Sequence, residues 1–190
     1  MVSSSNDRAD DYVRPAVKIE SGAKSALDPH TDLAIVPYIS GEVPRLELRA
    51  AHVTTVVAER TFWDKVVILH GVRNWFESRG ALRWQGQRVS RHYYDVHRIL
   101  QSALGKRAVA DRALGADCVA HARMFFNSPG LALDRAALGT FSLRPADRML
   151  GDLRRDYVRM AGMIIGAPPQ FDDVMISVAG LEDELNRGAI

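Results

Sequence analysis

The sequence predicts an α+β fold in which a small N-terminal antiparallel or mixed sheet precedes a bundle of about five helices. Two regions with different apolar periods carry that expectation. Up to about residue 58 the apolar residues tend to alternate with polar ones, the period of a strand with one wet face. After Glu59 they recur at three- and four-residue spacings, the period of a helix. A third observation sets the scale: 190 residues, 47% hydrophobic and 25% charged, suffice for one ordinary core and argue against two domains. The organisation read from this is a polar tail, 1–12, and a single domain, 13–190, divided into a β-rich part, 13–58, and a helical part, 59–190.

The first residues, MVSSSNDRAD, show no apolar periodicity and have little to bury. In VRPAVKIES, Val17 and Ile19 alternate with Lys18 and Glu20, and Pro15 suits the start or edge of a strand. A loop around Ser25 to Pro29 leads into a weaker extended run near Leu33 to Ile39. Pro44 to Arg49 alternates Leu46 and Leu48 with Glu47 and Arg49, and Val53 to Ala58 is rich in β-branched residues, so three or four short strands are expected. The first helix follows from the spacing of Phe62, Val66 and Leu69 and runs through about Glu77, with Thr61 near its N-cap and Gly80 as its stop. The turn-like RGALRWQGQRV separates it from SRHYYDVHRILQSA, which Ser90 caps and Gly105 ends. A third helix is expected from about Ala108 to Phe126, before a break at Pro129 and Gly130. Pro145 opens a long amphipathic helix with Met149, Leu153, Tyr157, Met160 and Ile164 on one face, and a last helix covers about Phe171 to Asn186. Met149, Met160 and Met163 with Tyr157 read as core filling.

Charge excludes little, since 25 Lys and Arg against 23 Asp and Glu give a net charge of +2 and no broad nucleic-acid footprint. A local patch of Arg83, Arg88 and Arg91 leaves nucleic-acid binding open and equally fits a solvated loop. The single cysteine, Cys118, rules out an intramolecular disulfide and a cysteine-based zinc cluster, as expected in the cytoplasm. No run approaches the roughly 18 apolar residues of a membrane span, and Met1 to Asp11 lacks a signal-peptide pattern, so no membrane partner is expected. His92 and His97 are five apart and His70 and His121 lie on other helices, which argues against a zinc site. Neither a P-loop nor a Rossmann glycine motif occurs.

Two residues could carry chemistry. Lys65 lies on the first helix among apolar residues and is the only lysine between Lys24 and Lys106, where a compact ammonium can bind phosphate as a point charge. Asp95, in RHYYD on the next helix, could accept a hydrogen bond from Lys65, orient it, or act as a base toward a hydroxyl. Taken singly, each also fits an ordinary surface role: Lys65 as a snorkelling side chain, Asp95 as an ion pair with Arg91 or Arg98.

The string ERTFWDKVVILH followed by SRHYYDVHRIL resembles the paired C-terminal motifs of the bacterial AbiEii-type nucleotidyltransferase toxins, a branch of the polymerase-β-like superfamily. The resemblance extends upstream to YVRPAVKIESGA and downstream to RRDYVRMAGMIIGAPPQFDDVMISVAGLEDELN, so it covers most of the chain. It implies that Lys65 and Asp95 are active-site residues, with Lys65 and Arg91 binding the nucleotide. In that superfamily two carboxylates in a D-x-D string after a Gly-Gly-Ser/Thr turn hold the Mg²⁺ ions that bind a nucleoside triphosphate. Neither string occurs here, and Asp7, Asp10 and Asp11 lie in the polar tail without the glycine turn. The resemblance therefore implies the C-terminal part only, binding neither Mg²⁺ nor triphosphate by itself. Glu20, on the strand VKIE, sits where the superfamily often has a third carboxylate and is the one candidate metal residue; an ordinary strand-surface glutamate fits as well.

The expected function is that of the C-terminal part of a nucleotidyltransferase-like toxin, which moves a nucleotidyl group from a triphosphate to an RNA or protein acceptor. The part is expected to be inactive alone and to need a complementing N-terminal fragment. The alternative is a non-catalytic interaction module or truncated remnant that binds an antitoxin-like partner. In either case the remaining strands would expose an edge, for which a homodimer is the expected cover.

Overall fold

At Val57 the chain passes from strand to helix, at the point where its apolar residues change period. The computed structural model describes residues 24–82 and 88–187. The expected strand around Val17 and Ile19, and with it Glu20, lies outside these residues, as do Arg83 and the early aspartates. Among the described residues the sheet is an antiparallel ribbon of β1, His30–Ile35, and β2, Ala50–Val56, with Thr31 opposite Thr55 and Leu33 opposite Val53. The register slips between Leu33 and Ile35, next to His52 at φ 59° on the facing strand, the geometry of a bulge.

The alternating stretch Pro44 to Arg49 is not a strand, which corrects the sequence expectation. Leu46 is exposed, so nothing lies under an apolar face there to reward the pairing. The run toward Ile39 is likewise cut short, because Tyr38–Gly41 forms a 3-10 turn after Pro37.

Helix α1, Ala58–Arg79, is covered on nearly every side. Phe62, Trp63, Val66, Val67, Leu69, Val72 and Phe76 are all buried, and Gly80 closes the helix at φ 70°, the left-handed region open to glycine at little cost. Its N-cap is Val57, and no side chain caps it, so Thr61 plays no part there. Around it pack α2, Ser90–Leu100, α3, Ala103–Ala110, and α4, Arg112–Phe126, together with the 3-10 turns Pro129–Leu131 and Leu133–Arg135. Helices α5, Asp147–Met160, and α6, Phe171–Asn186, cover the outer face of α2.

Gly105 does not end α2; it lies inside α3. A Cβ on it would stand 2.6 Å from the Ile99 carbonyl oxygen, so the glycine allows close approach rather than a stop. The single helix expected from Ala108 to Phe126 is two, because Asp111 leaves helical geometry and its carboxylate caps α4 by accepting from the Leu114 amide at 3.0 Å. Met149, Leu153, Tyr157 and Met160 are buried as expected, but Ile164 lies beyond α5 and Met163 is exposed. The extended stretch before α5 is tied to α6 by Asn186, whose side chain donates to the Phe141 carbonyl and accepts from its amide.

Trp63 is the largest fully buried side chain among the described residues. Its indole N–H donates to the Ala108 carbonyl at 2.8 Å and its ring lies flat against Gly115 of α4. An alanine Cβ at 115 would meet three ring carbons at 2.8 Å. Gly115→Ala is expected to cost about 1–3 kcal/mol by overpacking. Gly180→Ala, on the exposed side of α6 with nothing near the new Cβ, is expected to add about 0.5–1 kcal/mol. Urea denaturation of the two variants checks both signs.

Candidate active site

Lys65 and Asp95 meet. Lys65 leaves α1 on the side that faces α2, and its ammonium lies 2.9 Å from the Asp95 carboxylate. Asp95 pairs across to Lys65 in preference to the neighbouring arginines of its own helix. The lysine side chain is 20% exposed and the aspartate 36%, so the pair sits at the rim of the packed interior, partly out of water.

A third group completes the contact. His92 lies one helical turn before Asp95, on the same face of α2, and its Nδ1 stands 3.1 Å from the Lys65 ammonium. An ammonium only donates, so the imidazole nitrogen accepts. His92 is 8% exposed, and burial, followed by the charges of Lys65 and Arg91, holds its pKa down at about 3. It is therefore a neutral acceptor at any physiological pH. Sequence reasoning weighed His92 only as a metal ligand beside His97. The signal that could have found it is its i, i+3 spacing to Asp95.

Helix α2 is held firmly enough to place these groups. Ser90 is its first residue and not its cap; its amide and hydroxyl both donate to the Asp156 carboxylate of α5, at 2.8 and 2.6 Å. The anion at the start of α2 thus comes from another helix, where it also faces the positive end of the helix dipole. Tyr93 and Val96 are fully buried, and His97 is hydrogen-bonded to Ser177 of α6 at 2.8 Å. Arg91 lies on the exposed side of α2, near enough for its charge to act on His92.

A larger concavity lies elsewhere. A cavity of about 800 Å³ is lined by Thr61, Asp64, His121, Phe125, Ser128 and Leu131 among others, and by none of Lys65, His92 and Asp95. Burial raises the pKa of its Asp64 against the pull of Arg60, and burial with Asp64 alongside pushes the Cys118 thiol up to about 12, so that thiol stays protonated and unreactive. The Lys65 contact is the candidate rather than this cavity because it joins the two residues that the motif resemblance singles out, and neither of them lines the cavity.

The metal fits poorly. Among the described residues no group of three His, Cys, Asp or Glu side chains is placed to hold an ion, and Asp95 is already engaged by Lys65. Glu20 lies outside the described residues. No described helix is long and apolar enough to cross a membrane.

The depressed pKa of His92 has a measurable consequence. The unfolded chain protonates this histidine near pH 6.5 and the folded chain only near pH 3, so between these values the unfolded state holds more protons and stability falls with acidification. From pH 7 to pH 5 this one group is expected to remove about 2 kcal/mol. Buried His70 and His97 act in the same direction, and Asp64, whose pKa is raised, acts in the opposite one. Urea denaturation at the two pH values isolates the contribution: His92→Gln should lose less stability on acidification than the parent.

No curated protein and no solved structure matches the chain. A family model does: that of the nucleotidyl transferase AbiEii toxin, type IV toxin–antitoxin system, matches residues 2–177. With most of its length covered by that model and its two motif residues in contact across α1 and α2, this chain belongs to the AbiEii nucleotidyltransferase toxin family.

Proposed function

We propose that the chain is the part of a nucleotidyltransferase-type toxin that grips the triphosphate and orients the acceptor, so that an RNA or protein hydroxyl attacks the α-phosphorus, the α–β phosphoanhydride bond breaks and pyrophosphate leaves. The observation that carries this reading is the contact between Lys65 and Asp95 at 2.9 Å, joining two motifs 30 residues apart in a family of nucleotidyl transferases. Lys65 would hold phosphate oxygens, with Arg91 as a second cation from the exposed side of α2. Asp95 would keep the ammonium in place or take the proton of the acceptor hydroxyl. In phosphoryl and nucleotidyl transfer such groups act by position and charge rather than by covalent chemistry. The Mg²⁺ that assists this chemistry is expected to be held by carboxylates of a complementing segment, since the described residues offer no cluster for it. On this reading the chain alone does not turn over.

The test is a titration of the purified chain with ATP in the presence of Mg²⁺. Whereas the resemblance implies that the chain alone binds no triphosphate, the paired Lys65 ammonium supports the opposite expectation, a dissociation constant in the micromolar to low-millimolar range that weakens about tenfold or more in Lys65→Ala. Equal binding by parent and variant, or none by the parent at millimolar triphosphate, would count against the nucleotide site.

One observation favours a second role beside the first. Every residue of β1 is exposed, and Leu33, Ile35, Val36, Tyr38 and Ile39 form an apolar surface on and beside a two-stranded ribbon, an arrangement marginal by itself in water. We read this ribbon as an interaction surface for a second copy of the chain or an antitoxin-like protein. Sedimentation equilibrium is expected to show a concentration-dependent dimer, weakened by Tyr38→Asp at a side chain that is 97% exposed. A clean monomer at high concentration would remove the homodimer.

A further inference from the structure

We propose that His92 is a positioning residue: its Nδ1 anchors the Lys65 ammonium from one side while Asp95 anchors it from the other, so that a remaining N–H faces an incoming phosphate. The proposal rests on the nucleotide-binding reading above and adds to it a residue that neither motif comparison nor charge identified.

The argument begins with the lysine. Its ammonium sits on a flexible four-carbon stem and carries three donors free to rotate, so a single partner fixes neither its place nor its direction. Here two partners from one face of α2, separated by a turn of helix, close on it at 3.1 and 2.9 Å. Two contacts leave one donor without an acceptor among the described residues, on a side chain still 20% exposed. The two partners differ in kind. Asp95 supplies the countercharge, whereas His92, buried and neutral, supplies direction without adding a charge that would repel the ammonium or attract it away from a phosphate. A second carboxylate in place of His92 would compete with the phosphate for the same cation. The histidine is itself fixed, because Ser90 is tied to Asp156 and the neighbouring Tyr93 is fully buried. The imidazole therefore presents its nitrogen without further ordering cost on ligand binding.

The full chain tests this with two readouts and two variants. His92→Gln keeps an acceptor near the ammonium; His92→Leu keeps approximate volume and removes it. Thermal melts establish that each variant is folded. The first readout is hydrogen exchange of the lysine ammonium protons by ¹⁵N-detected correlation spectra of the ligand-free chain, in which Lys65→Ala identifies the signal among four lysines. Exchange is expected to be about tenfold faster in His92→Leu and near parental in His92→Gln, since a hydrogen bond to a charged group is the stronger kind. The second readout is affinity for ATP with Mg²⁺, expected to fall about tenfold in His92→Leu and to be largely restored in His92→Gln. If ammonium exchange in His92→Leu matches the parent, the proposal is overturned whatever ATP does. If exchange responds as expected but neither His92→Leu nor Lys65→Ala alters ATP affinity, the anchoring of Lys65 by His92 stands and the nucleotide-binding reading falls.

Discussion

The structure depends on burying α1 from all sides. A 22-residue helix with apolar residues around most of its circumference has little solvent face to spare, so α2, α3, α4 and two 3-10 turns are arranged as its sheath, with α5 and α6 laid over α2. Trp63 shows how tight that sheath is: its ring requires a residue without Cβ at 115, and its N–H requires the Ala108 carbonyl at the end of α3. One side chain thereby sets the spacing of α1 from two neighbours.

Burial of this kind makes partners necessary for the polar residues of α1, and several of these partners lie on the elements that cover it. His70 reaches the Ala132 carbonyl and accepts from the Ser142 amide, and Asn74 donates to the His70 carbonyl while accepting from Arg135. Arg60 meets Asp117 of α4 at 2.6 Å, although its Nε and one terminal nitrogen find no acceptor among the described residues. Lys65 belongs to the same series. Its ammonium stands near the edge of the sheath, so its partners, His92 and Asp95, hold a charge that is still within reach of a ligand. The site is thus a local consequence of the packing problem: a cation on a buried helix, satisfied by one neighbouring helix and left partly open on the outer side.

The β ribbon stands in contrast to this sheath. Its residues are almost all exposed, and β1 contributes nothing to the core. In the helical part α1, α2, α3 and α4 each pack against two or more other elements, whereas the ribbon's main packing partner among the described residues is its own second strand. That difference separates a preformed candidate site from a surface suited to association.

By itself the sequence determined the class of fold, the position of the strand-to-helix transition and the ends of α6, because period-two and period-3.6 patterns report which faces are buried without reference to partners. It also marked Lys65 and Asp95, through residue type and motif resemblance. Only the tertiary structure decided that Asp156 rather than Ser90 supplies the acceptor at the start of α2, that Gly105 serves close approach inside a helix, and that Pro44 to Arg49 is not a strand. Only it revealed His92 as the third member of the site. The physical reason is common to these cases: capping anions, glycine clearances and lysine acceptors are supplied by residues tens of positions away, and local periodicity carries no record of which distant side chain will arrive.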